Sequence, residues 1–175
     1  SSENTLSCLN NREIKKKLSL KYKYNFDERF IHEYVRDEKL KTIFGNSPTI
    51  YASSESKFNY NFIPLSSFSN EKIYLCNETG EHSFYQSDRY GFNNIDEIWE
   101  KKIIDLILIG DSFVAGACTN KFNENNISDY FKKKNLNTIN LGFPGHGPLL
   151  EYATFVEYAK SKKPKKLLWF YYECN

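Results

Sequence analysis

The sequence predicts an α/β protein organised around a small parallel sheet, and three observations carry that prediction. Apolar runs with β-branched or aromatic character recur at 103–109, 137–141 and 166–173; amphipathic stretches separate them; and unusual turn-forming segments follow their carboxyl-terminal ends. The order β-α-β-α-β, closed by right-handed crossovers, lays such strands parallel with helices on the sheet faces. In open sheets of this kind ligands bind outside the carboxyl ends of the strands, so the three turn segments are where chemistry is expected.

Residues 1–100 read as an N-terminal accessory α+β region. Asp27 is a suitable N-cap for a helix carrying Phe30, Ile31, Tyr34 and Val35 on one face, with Gly45 as its stop. KIYLCNETGEHSFYQSD then reads as two strands around an Asn-Glu-Thr-Gly turn, with Tyr74 and Phe84 as packing residues. The second region, 101–175, opens on IIDLILI, a short run of the kind buried on both faces. ENNISDYFKKKN places Ile127, Tyr130 and Phe131 at helical spacing, and NTINL is the next strand. After the glycine-rich GFPGHGP comes LLEYATFVEYAK, where Leu149, Tyr152, Ala153 and Val156 form the apolar stripe expected to face the core. Pro164 ends that helix, and KLLWFYYE makes the third strand. The chain has no internal repeat.

Composition narrows the functional classes. With 40% hydrophobic and 17% aromatic residues there is ample apolar surface for a core, which argues against disorder throughout. A net charge of +2 gives no field suited to nucleic acid, and the lysine runs 132–134 and 160–166 fall at expected helix ends, facing the negative end of the helix dipole. No stretch approaches the roughly 20 apolar residues of a membrane span and no signal peptide is visible, so any membrane anchor is expected outside this chain. Met is absent even at position 1, as in a processed product or an excised piece. The four cysteines, Cys8, Cys76, Cys118 and Cys174, show no Cys-x-x-Cys spacing, which argues against a zinc knuckle. GFPGHG spaces its glycines as G-x-x-G-x-G with no following Walker lysine, a poor phosphate cradle.

The three segments at the strand ends are Gly110-Asp111-Ser112, Gly142 to Gly147, and Glu173-Cys174-Asn175. A serine hydroxyl at the mouth of a buried strand suits a nucleophile, provided that a base takes its proton and fixed donors receive the oxyanion. IGDSFVAG resembles the first block of the SGNH (also called GDSL) hydrolase superfamily, NLGFPGHGP resembles the second, and YYECN resembles the start of the third, which runs Gly-x-Asn-Asp. The resemblance covers 103–175 and implies a truncated three-layer flavodoxin-like parallel sheet and an ester hydrolase or acyltransferase. It implies Ser112 as nucleophile, with its own N–H, the N–H of Gly145 and the Asn175 side chain as oxyanion-hole donors, and it implies no metal or organic cofactor. Asp111 and His146 are the expected substrate contacts. The family's catalytic His lies in an Asp-x-x-His block that this sequence lacks, so the base is expected from sequence beyond Asn175. His32 and His82 read as surface or packing residues. In a 2-1-3 strand order Cys118 and Cys174 become neighbours able to approach each other.

SDRYGFNN resembles a segment that precedes the first block in bacterial SGNH proteins with an N-terminal membrane anchor. It implies the bacterial cell envelope or periplasm, with the cytoplasm as alternative, and O-acetyl groups of envelope polysaccharide as substrate. The rival reading is a catalytically silent carbohydrate-binding or scaffold module on the same fold.

Overall fold

The computed structural model describes residues 13–23, 25–41, 64–77, 81–117 and 126–171. The predicted parallel sheet is present: β3 (Leu106–Ile109) lies at the centre, between β4 (Thr138–Asn140) and β5 (Lys166–Trp169), and both pairings are parallel. Ile107 stands opposite Ile139 on one side and Leu167 on the other.

All residues of β3 and β4 are buried, whereas β5 is largely exposed, although β4 and β5 both flank the central strand. Side chains alternate between the faces of a strand, and LILI supplies an apolar residue to each. On one face Ile107 and Ile109 pack with Phe92, Ile98, Trp99, Ile139 and Leu141. On the other, Leu106 and Leu108 meet Val114, backed by Ile127 and Phe131. The sheet is therefore covered on both sides. The 3-10 turn Asp96–Glu100 contributes Ile98 and Trp99 to the first layer.

The N-terminal part holds the expected hairpin, β1 (Lys72–Cys76) paired antiparallel with β2 (Ser83–Gln86), besides two helices, α1 (13–22) and α2 (Ile31–Asp37). Helix α2 starts later than its sequence pattern suggests. Asp27 does not cap it: its carboxylate accepts from the Arg29 N–H at 3.0 Å and from the guanidinium at 2.6 Å, while Glu33 reaches back to the Phe30 N–H at 2.7 Å. Phe30 and Ile31 are exposed, and the helix packs on the hairpin through Tyr34, Leu40 and Tyr74. It ends at Asp37, and Gly45 lies outside the described residues.

In the second region the turn helix α3 (Ser112–Ala115) follows β3, and α4 (Ile127–Lys132) precedes β4. Ile127 and Phe131 face inward as expected, but Tyr130 is exposed and Ser128 is buried in its place. The larger correction is α5 (Pro148–Thr154). Leu149 is 79% exposed and Tyr152 52%, while Glu151 and Thr154 are buried, so the helix is turned away from its apolar stripe. Partners explain the inversion: the Glu151 carboxylate accepts from Trp169 Nε1 at 2.6 Å, and the Thr154 hydroxyl donates to the Leu150 carbonyl at 2.8 Å. A polar side chain can enter an interior once it is hydrogen-bonded. The helix continues through a π-helical turn, Phe155–Ala159, whose Ala159 is fully buried in the first core layer.

Candidate active site

The carboxyl edge of the parallel sheet is assembled from backbone that only small residues allow. At Gly110 a Cβ would stand 2.5 Å from Val114 Cγ2 and 3.1 Å from the Phe170 carbonyl oxygen, so the chain turns from β3 into α3 in a space without room for a side chain. Asp111 caps that turn, its carboxylate accepting from the Phe113 N–H at 2.9 Å. Ser112, the next residue, is half-buried, and its hydroxyl makes no hydrogen bond among the described residues.

Two neighbouring strand ends close on this turn. The Phe143 N–H donates to the Gly110 carbonyl at 3.2 Å, and the Phe170 N–H donates to the Ile109 carbonyl at 2.9 Å. Gly142 lies so close beneath α3 that a Cβ would stand 2.3 Å from the Ala115 nitrogen. The chain then makes a tight turn, with the His146 N–H donating to the Phe143 carbonyl at 3.3 Å. Pro144 occupies its second position and Gly145, at φ +81°, its third, the residues a type II turn demands. Gly145 is exposed, and its N–H has no partner among the described residues.

The Ser112 turn and the Gly145 turn thus occupy one edge, as the strand order requires. Asn175 lies outside the described residues, as do Cys118 and Cys174. Asp111, expected to touch substrate, spends its carboxylate on the helix cap. His146, expected in the same role, is buried, with its ring 4.6 Å from that of Phe143 and Nδ1 3.5 Å from the Thr154 hydroxyl. Burial pushes its imidazole down to about 4, opposed in part by the Pro64 carbonyl, and Nε2 has no hydrogen-bond partner within bonding geometry among the described residues. His82 is a packing residue, stacked 4.2 Å from the Tyr34 ring and bonded to the Tyr74 hydroxyl and the Arg29 carbonyl. His32 is exposed.

Sequence reasoning missed the polar web behind this edge. Asn140, on β4, donates through Nδ2 to the Val114 carbonyl at 2.6 Å and accepts through Oδ1 from the Gly142 N–H at 2.8 Å. Asn93 holds the next carbonyl of α3, that of Ala115, at 3.0 Å. Asn94 grips the backbone of Asn140, donating to its carbonyl at 2.9 Å and accepting from its N–H at 2.8 Å. Asp88 anchors the web: its carboxylate accepts from the Tyr90 and Phe92 N–H groups, from Asn94 Nδ2 and from Trp99 Nε1, at 2.8–2.9 Å. Burial pushes the Asp88 carboxyl up, and those donors pull it back. The signal was in the sequence: a carboxamide inside the apolar strand NTINL demands buried partners, and SDRYGFNN holds them.

Glu151 is the other unanticipated group. It is buried beside the edge, its carboxyl raised first by burial and further by the charge of Asp111, with the Trp169 indole acting in the opposite sense. Elsewhere, a cavity of about 700 Å³ in the N-terminal part, lined among others by Asp27, Arg29, Tyr34, Glu38 and His82, shares no residue with this edge. No group of His, Cys, Asp and Glu suited to a metal ion occurs among the described residues, and no helix among them is long and apolar enough to cross a membrane. Cys76 is disulfide-bonded. No protein-family model matches the chain, nor does any curated protein or solved structure.

Proposed function

We propose that residues 101–175 carry the nucleophile and oxyanion side of an SGNH-type serine hydrolase on a flavodoxin-like three-layer fold, cleaving or transferring small acyl esters. The observation that carries this reading is a serine whose hydroxyl has no partner among the described residues, at the end of the central parallel strand, on the same sheet edge as a tight turn whose glycine N–H has none among them either. The central position of the first strand of this region, with the second and third on either side, agrees with that fold. Ser112 attacks the ester carbonyl, and the N–H groups of Ser112 and Gly145 receive the oxyanion, each such donor lowering the barrier by roughly 3 kcal/mol. The Asn175 amide joins them in this reading. In this reading the histidine that takes the proton comes from sequence beyond Asn175, because His146 is buried and His82 is held by the Tyr74 hydroxyl and the Arg29 carbonyl.

Envelope polysaccharide bearing O-acetyl groups is the proposed substrate, and the disulfide at Cys76 supports an oxidising compartment such as the periplasm. A second reading, a silent carbohydrate-binding or scaffold module, is favoured by one observation: no described residue stands ready as a base. The two separate in a single experiment on the natural protein. Hydrolysis of p-nitrophenyl acetate and covalent labelling by a fluorophosphonate are both expected, and both are expected to disappear in Ser112→Ala. Labelling that persists in Ser112→Ala removes the nucleophile assignment; no turnover and no labelling in either protein leaves the silent module.

A further inference from the structure

We propose that Asn140 is a positioning residue that fixes the distance between the Ser112 turn and the Gly142–Gly145 turn; this rests on the hydrolase reading above. One carboxamide reaches both parts of the edge. Its N–H donates to a carbonyl of α3, the helix that Ser112 begins, and its oxygen receives the N–H of Gly142, from which the Gly145 turn springs. Asn140 is only 1% exposed, so water cannot stand in for either bond. Its own backbone is clamped on both sides by Asn94, which Asp88 holds in turn. A purely apolar strand would have built the same sheet with less demand on its neighbours, as Ile139 and Leu141 do on either side.

The residue type matters, because only an amide offers a donor and an acceptor at this separation. Asp presents two acceptors and no donor when ionised; Leu offers neither; Ala leaves both partners orphaned. Without the amide, the Ser112 turn and the Gly145 turn would still be built, since Gly110 and Phe143 remain bonded and the Phe143–His146 turn closes on itself. What is lost is the second tie between them, which leaves the 3.2 Å Phe143–Gly110 bond as the remaining backbone link and loosens their registry. An ester carbonyl held by one turn and attacked from the other is sensitive to that distance, and a displacement of about 1 Å can cost on the order of 100-fold in rate.

The experiment combines kinetics and amide hydrogen exchange on the natural protein. In Asn140→Ala, kcat for p-nitrophenyl acetate is expected to fall about 100-fold with KM within about two-fold, the pattern of a lost transition-state arrangement. Exchange at Gly142 should accelerate at least about 10-fold while the Ile107 amide keeps its protection. Asn140→Asp separates the two bonds: Gly142 stays protected while kcat drops, because only the link to Val114 is broken. It also keeps the question open to refutation if Asn140→Ala does not fold. Ile139→Ala, a core change on the same strand, should lower the melting temperature and leave kcat alone. Asn140 variants with wild-type kcat, in a protein whose turnover still depends on Ser112, overturn the positioning role and leave the hydrolase reading standing. Turnover unaffected by Ser112→Ala, or absent altogether, removes the hydrolase reading and this inference with it.

Discussion

Behind the carboxyl edge of the parallel sheet, polar groups are paired almost to saturation; in front of it, they are left open. Asp88 meets donors on both oxygens, Asn94 uses its amide hydrogens on Asp88 and Asn140, and Asn140 uses donor and acceptor alike. Asn93 Oδ1 is the exception there. In front, the Ser112 hydroxyl and the Gly145 N–H have no partner among the described residues. The contrast separates two tasks. A network without slack holds the backbone of the edge in place, and unpaired groups are those that can still act on a ligand.

That contrast breaks most readily at Asp88. Asp88→Ala leaves two backbone N–H groups, an indole N–H and an amide without their acceptor in a site closed to water. Each orphaned donor costs about 1–3 kcal/mol, so a loss of about 4 kcal/mol or more is expected in urea unfolding. Asp88→Asn, which keeps one acceptor oxygen, should fall between. A loss below about 1 kcal/mol would mean that the web is not what supports the edge.

Gly142→Ala tests the same support by crowding instead of deletion. The added methyl would meet backbone atoms of Ala115 and Val114, which cannot rotate away as a side chain could. About 3 kcal/mol of stability should be lost, because α3 and the Gly142 segment must separate. Gly147→Ala, at a position where nothing stands within 4 Å, is the matched control and should be close to neutral.

How much of this was legible in the sequence follows from what kind of force set each feature. The parallel sheet was legible because LILI and the strands beside it are held by apolar burial, which leaves a plain periodicity. The hairpin around residues 72–86 was legible for the same reason. Two helices were misread, and each for a definite cause. Asp27 has the composition of a cap but is claimed by Arg29, an alternative that spacing cannot reveal. The stripe Leu149, Tyr152 and Val156 has the period of a buried face, yet Glu151 and Thr154 go inward because Trp169 and the Leu150 carbonyl receive them. Of these partners only Trp169, 18 residues from Glu151, is distant in the chain and leaves no local pattern. At the candidate site, Ser112 and Gly145 stand in motifs at strand ends, whereas Asn140 and Asp88 lie behind them and carry no motif of their own.

His146 sharpens the comparison through pH. Its imidazole is held near 4 in the folded chain by burial, against an ordinary value of 6.5, so the unfolded chain binds the proton first as pH falls. Stability from this group is full above about pH 6.5 and is lost as pH falls toward 4, amounting to about 2 kcal/mol between about pH 7 and pH 5. Urea midpoints measured across that range should flatten in His146→Phe. Glu151 acts in the opposite sense: burial raises its carboxyl, the folded chain holds the proton longer, and stability declines as pH rises above the ordinary glutamate range. Glu151→Gln, which keeps an oxygen for the Trp169 indole, should remove that decline.

The smallest effect is expected on the outward face of α5, where composition and structure disagree most. Leu149 and Tyr152 look like core residues in the sequence, and their exposure means that little apolar area leaves water when the chain folds. Leu149→Ser and Tyr152→Ser should therefore each change stability by no more than about 0.5 kcal/mol, as surface substitutions do. Thr154→Val, on the hidden face of the same helix, exchanges a hydroxyl bonded to the Leu150 carbonyl and 3.5 Å from His146 Nδ1 for a methyl of equal size, so its effect reads those two contacts. If Tyr152→Ser instead costs more than about 1 kcal/mol, the apolar stripe is covered in solution. The sequence pattern would then have described the folded protein more faithfully than the exposure of these two side chains does.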